Sequence, residues 1–131
     1  MFNSGIQINK YVKKWLTGCE ALLEKVPKRN MQPLMINPTE RPIITWMHGP
    51  VEPDYSKSPD GLSFDNVDVA ILIVSNDYEE SCDIAEIVRN LLELHSYDDE
   101  NISIPLIQIE EISEEVLNDS YVQRIILKFT V

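Results

Sequence analysis

Residues 64–94, FDNVDVAILIVSNDYEESCDIAEIVRNLLEL, hold a strand, a turn and a helix in immediate succession. Val67, Val69, Ile71 and Ile73 alternate with Asp68, Ala70, Leu72 and Val74, the period-two pattern of a β-strand. The second half is apolar on both sides, as in a strand with neighbours on each edge and cover on both faces. Asp77 followed by Glu80 is a D-x-x-E capping box, so a helix is expected to start there. Ile84, Ile87, Val88, Leu91, Leu92 and His95 then form an apolar stripe, with Glu79, Asp83, Glu86, Asn90 and Glu93 outside it.

Working outward toward the N-terminus, Ile8, Tyr11, Val12, Trp15, Leu16, Cys19, Leu22, Leu23 and Val26 recur at spacings of three and four. This predicts one continuous helix with Asn9 as N-cap and Pro27 as stop, and with Lys10, Lys13, Lys14 and Lys25 solvated. Residues 27–41 read as irregular and basic, with a short strand at 34–36. Residues 42–48 (PIITWMH) read as a strand. Residues 49–63, rich in Pro and Gly, read as a fifteen-residue loop that is mobile or engaged with a partner.

Toward the C-terminus, residues 96–101 read as an acidic turn. Two further strands, 102–109 and 121–131, are joined by an acidic segment, 110–119. Tyr121, Ile125, Leu127, Phe129 and Val131 lie on one face of the last strand, Arg124 and Lys128 on the other. Together the elements predict an α+β fold: a mainly antiparallel sheet of four or five strands, both helices packed on one face, in a single domain spanning 1–131.

Charge is distributed unevenly along the chain. Residues 77–119 carry fourteen carboxylates and one base, Arg89, whereas residues 1–48 carry seven Lys or Arg against three Glu. The total is -11 over 131 residues. A basic end and a strongly acidic segment suit a protein that is oriented by, or stacked against, something charged. The acidic balance argues against sequence-specific nucleic-acid binding, which needs clustered cations. No stretch approaches the roughly 20 apolar residues of a membrane helix, and a cytoplasmic protein without membrane contact is expected.

No reaction is announced. Cys19 falls on the core stripe, and Cys82 near the second helix start projects away from its stripe among carboxylates that oppose thiolate formation. His48 ends a strand and His95 sits on the second apolar stripe; neither has metal ligands at the right spacing. Residues 98–100 lack the spaced oxygens and Gly of a calcium loop. Glu110, Glu111, Glu114 and Glu115 read as a hydrated acidic surface. No catalytic residue, metal or cofactor is therefore expected. If copies associate by charge complementarity, the basic side is Lys10, Lys13, Lys14, Lys28 and Arg29, and the acidic side is that glutamate group. Trp46 and Tyr55, which the predicted core does not claim, are candidates for the apolar share of such a contact.

The layout resembles the bacteriophage tail-terminator or tail-completion (head-tail joining) proteins. The likeness is carried by the leading helix of residues 9–26, the strand 42–48 before a long loop, the unit 64–94 quoted above, and the closing strand SYVQRIILKFTV. It implies a non-enzymatic homo-oligomeric ring without cofactor that ends the tail tube, contacts tail-tube and head-completion proteins and is assembled into the virion. An acidic lumen in such a ring would let DNA slide. A different reading of the same charge is an acidic adaptor or DNA mimic acting as monomer or dimer.

Overall fold

A computed structural model of the chain describes residues 5–35, 40–55, 64–98, 103–104 and 106–131. After a 3-10 turn at Gly5–Gln7 come α1 (Ile8–Thr17), α2 (Glu20–Leu23), a second 3-10 turn (Lys28–Asn30), β1 (Met31–Pro33), β2 (Ile43–His48) and β3 (Glu52–Asp54). They are followed by β4 (Phe64–Ser75), α3 (Tyr78–Leu92), β5 (Tyr97–Asp98), β6 (Ser103–Ile104), β7 (Gln108–Leu117) and β8 (Ser120–Thr130). The sheet runs β1-β2-β4-β8-β7, with β3 also paired to β4, and β5 and β6 form a separate two-stranded ribbon. The α+β expectation is met, but the sheet is mixed and has six strands: β1 runs parallel to β2, and all other pairs are antiparallel.

The register explains the core. Trp46 pairs with Ile71 on β4, and Ile71 pairs with Ile125 on β8. Met31, Ile44, Trp46, Val69, Ile71, Ile73, Ile125, Leu127 and Phe129 therefore share one face, and all are buried. Both long helices cover that face. Trp46 Nε1 donates to the Asn9 carbonyl of α1 at 3.1 Å, and Gln123 on the same face reaches Ser81 Oγ of α3 at 3.4 Å. Removing each such apolar side chain from water contributes roughly 1.5–3 kcal/mol.

Several expected boundaries move, each for a local reason. The first helix is not continuous to Val26: Cys19 is extended (φ -93°, ψ 110°) and splits it into α1 and α2. Thr17 Oγ donates to the Lys13 carbonyl at 2.7 Å and Gly18 follows, two residues that weaken a helix interior. Asn9 lies inside α1, whose N-cap is Gln7. Leu16 and Leu22 are fully buried as expected, but Leu23 is exposed, and Trp15 and Cys19 are half-buried. The first strand occupies Met31–Pro33 and not 34–35; residue 36 of the expected strand lies outside the described residues.

The expected loop 49–63 contains a strand, β3. Gly49 N donates to the Asp68 carbonyl at 2.8 Å, and β3 then carries on along β4 past a bulge. Pro53 is tolerated there because, among the described residues, β3 pairs with β4 alone. Residues 56–63 lie outside the described residues. Gly5 closes the same corner: its N–H donates to the buried Asp65 carboxylate at 2.7 Å, and a Cβ there would meet Val51 at 3.0 Å.

Asp77 caps α3, accepting from Glu79 N at 3.2 Å. Glu80 closes the box indirectly: it accepts from Ser75 Oγ at 2.7 Å, and that oxygen accepts from Asp77 N at 3.0 Å. α3 buries Ile84, Val88 and Leu92, while Ile87 and Leu91 are half-buried. His95 lies beyond the helix end and is exposed, so it is not on the stripe. The largest departure is at the C-terminus: the acidic segment 110–119 is mostly strand, and of the described residues of the expected strand 102–109, Ser103–Ile104 and 108–109 are strand while 106–107 are not.

Candidate functional site

The sheet order turns a polarity of sequence into a polarity of space. At the β1 edge, α1 exposes Lys10 and Lys14, and the 3-10 turn before β1 exposes Lys28 and Arg29. Lys13 is half-buried there and donates to Gln32 Oε1 on β1 at 2.8 Å. Arg29 pairs with Glu40 at 3.2 Å in solvent, a contact of about 0–1 kcal/mol. At the opposite edge β7 exposes Glu110, Glu111, Glu114 and Glu115, and the adjoining α3 exposes Glu79, Asp83 and Glu86. The five basic candidates thus gather at one edge and the four acidic candidates at the other.

Of the two aromatic candidates, Trp46 is corrected. It is 1% exposed, and its side chain lies under α1, so it cannot serve as a surface contact. Its neighbour Met47, which points to the other side of the sheet, is 52% exposed. Tyr55 is exposed beyond β3, apart from both charged edges.

Between α3 and β7 lies a trough that the sequence reading missed. Its two lobes, about 180 and 240 Å³, share Gln123 in the floor. α3 contributes Tyr78, Cys82, Ala85, Glu86 and Arg89, the last paired with Glu93 at 3.0 Å; β7 contributes Ile112, Glu114, Glu115 and Val116. The trough exists because α3 packs on β4 and β8 and leaves the helix side of β7 uncovered, so Ile112 is 43% and Val116 65% exposed. Cys82, expected to project away from the apolar stripe, is half-buried in this wall.

The carboxylate in the trough is held in place. Glu114 Oε2 accepts from Gln123 Nε2 at 2.9 Å and from Tyr78 OH at 2.9 Å. These two donors hold the Glu114 carboxyl below its ordinary range, the Gln123 bond contributing most. Reciprocally, the bond to Glu114 and then the neighbouring Cys82 push the Tyr78 phenol up to about 12. Gln123 is buried and also faces Cys82 Sγ at 3.7 Å. The result is a fixed negative charge on an apolar wall, suited to a cation with an apolar stem. Two signals in the sequence could have located β7: the branched residues Ile109, Ile112 and Val116 among the glutamates, and Asn118-Asp119 as a two-residue hairpin turn.

On the sheet face away from the helices, Leu34, Met35, Thr45, Met47, Ala70, Leu72 and Arg124 surround an apolar depression of about 440 Å³. Among the described residues no three His, Cys, Asp or Glu side chains come together as metal ligands, and no helix is long and apolar enough to cross a membrane.

No family model matches the chain, and no curated protein matches it in sequence. Among solved structures it is similar to a chain of the "Virion of native gene transfer agent (GTA) particle", with a TM-score of 0.72 and 11% identity. The match covers 92% of this chain and 90% of that one. At that identity the likeness establishes the fold: this α+β arrangement is one also found in the virion of a gene transfer agent.

Proposed function

We propose that the protein is a non-enzymatic structural subunit of a phage or phage-like particle, forming a ring that ends the tail tube and joins it to the head. The observation that carries this reading is the fold likeness to a virion chain over nearly the full length of both chains. The opposite charge of the two sheet edges supports it further. A contact between the edge bearing Lys10, Lys13, Lys14, Lys28 and Arg29 and the edge bearing Glu110, Glu111, Glu114 and Glu115 is heterologous, and such contacts close into rings when the rotation allows. Pairing like edges would set glutamate against glutamate or lysine against lysine. The partners in this reading are further copies of the chain, the tail tube and head-completion proteins, with remaining acidic residues toward a lumen that repels DNA phosphates.

Exposed ion pairs contribute about 0–1 kcal/mol each, so apolar contacts must supply most of the affinity. The test is size-exclusion chromatography with light scattering at low salt, followed by negative-stain microscopy. Ring-shaped homo-oligomers, formed alone or on added tail tubes, are expected. A monomer or dimer that instead binds tightly to a basic DNA-binding protein would overturn the proposal in favour of an acidic mimic.

A further inference from the structure

We infer that the α3–β7 trough is the socket of the subunit contact, and that its occupant is the N-terminal part of the first helical segment of the next copy, led by Ile6 and Lys10. The inference rests on the ring reading and deepens it, because it names which surface receives which.

The trough offers two kinds of surface. Val116, Ile112 and Tyr78 give an apolar wall, each 43–65% exposed. Glu114 gives a carboxylate whose position is fixed by Tyr78 and Gln123, so little side-chain freedom is lost when a cation arrives. Only the Oε2 atom carries these two bonds. The occupant should therefore present an apolar group and a primary ammonium about one helical turn apart.

The start of the first helical segment presents that pair, beside the β3–β4 corner where Gly5 is anchored. Ile6, in the 3-10 turn that leads into α1, is 67% exposed, and Lys10 follows four residues later, also exposed. The two are four residues apart across the junction of the 3-10 turn and α1, about one turn of the segment. A large apolar side chain this exposed, with lysines beside it, fits a surface that is covered on assembly. The acidic trough repels a second trough, and the lysine edge repels a second lysine edge, so only the head-to-tail pairing remains favourable. The trough is also lined by groups that the core does not need: Val116 and Tyr78 lie outside the central hydrophobic cluster.

The test uses two full-length variants of exposed residues, Val116→Arg to block the socket and Lys10→Glu to block its occupant. Circular dichroism and thermal melts on each confirm the fold. Each variant alone is expected to raise the concentration for half-assembly by at least about tenfold, as loss of a central contact does. Mixed one to one, they should form a heterodimer, because one copy keeps a working socket and the other a working occupant. Wild-type protein that assembles while Val116→Arg assembles equally well would overturn the socket and leave the ring reading standing. Variants that fail both alone and mixed, beside an assembling wild type, would also overturn the pairing of these two surfaces. Wild-type protein that forms no oligomer under any condition would overturn both.

Discussion

β7 and β8 are two arms of one hairpin, ten and eleven residues long, and they are built from opposite materials. β8 alternates: Gln123, Ile125, Leu127 and Phe129 are buried and Arg124 and Lys128 are exposed. β7 is exposed at eight of its ten positions, and its face alternation is obscured by four glutamates. β8 is a strand because its own side chains fill a core. β7 is a strand because β8 offers it a ladder, and its glutamates suit an edge that must not pair with another copy's sheet. The difference separates two jobs: one strand holds the domain together, and the other holds out a surface.

The sharpest test of that contrast is stability. Phe129→Ala in β8, at a position with no solvent exposure, should cost about 3–5 kcal/mol. Val116→Ala in β7 should change stability by no more than about 0.5 kcal/mol. Urea unfolding read by circular dichroism, with an unchanged slope, measures both. A large loss at Val116 would mean that the edge is part of the core after all. The same logic grades the helices: Leu22→Ala, fully buried, should cost about 2–5 kcal/mol, and the half-buried Leu91→Ala less.

A smaller effect is expected at the hinge between the arms. Asn118 has φ 53°, and with Asp119 it forms the two-residue turn between Leu117 and Ser120. A β-branched residue resists that conformation, so Asn118→Val should cost about 1–2 kcal/mol, while Asn118→Gly should be close to neutral. Equal losses in both variants would show that the side chain of Asn118, and not its backbone, holds the turn.

What was legible in the sequence follows the same division. Segments that bury their own side chains could be read: β4 from its Val and Ile alternation, α3 from its cap and stripe, β8 from its inward face. Segments placed by their neighbours could not. β7 looked like a solvated acidic loop because glutamate has low strand propensity. β3 looked like loop because Pro50 and Pro53 signal a break, although an edge position tolerates them. Of the candidate contact residues, the two charged groups were readable from composition, and their placement at opposite edges needed the sheet order. Trp46 was misassigned because a Trp beside a presumed loop looked unclaimed, whereas pairing with Ile71 turns it under α1. The trough could not be foreseen, since it lies between two elements of which one was not recognised.

Salt should separate the two arms as well. Raising it from about 0.05 to 1 M shortens the Debye length from more than 10 Å to about 3 Å, which weakens a contact made through β7. The β8 core depends on apolar burial, so the subunit's own unfolding midpoint should not fall over the same range. Light scattering and urea unfolding in parallel decide the point, and a midpoint that drops together with assembly would place charge repulsion inside the fold.

The smallest effect expected concerns the bond that ties the two arms to α3. Glu114 of β7 is gripped by Gln123 of β8 and Tyr78 of α3, and its carboxyl pKa is lowered from the ordinary 4.5. A depressed pKa in the folded state means that stabilisation is complete above 4.5 and is lost as pH falls from there through the lowered value. Tyr78 runs the other way: its phenol rises from 10.0 to about 12, so its share is complete below 10.0 and is lost as pH climbs toward 12. Both groups sit in solvent, so the amplitude is small at each end. Glu114→Gln removes the charge while keeping an acceptor for Tyr78. It should flatten the acid limb that this carboxylate contributes and bring the Tyr78 titration, read by tyrosinate absorbance, back toward 10.0. It should not return fully, because Cys82 also raises it. An unchanged tyrosine titration in Glu114→Gln would mean that the edge strand is not tied to α3 through this carboxylate, and that the trough wall lacks the fixed charge assigned to it.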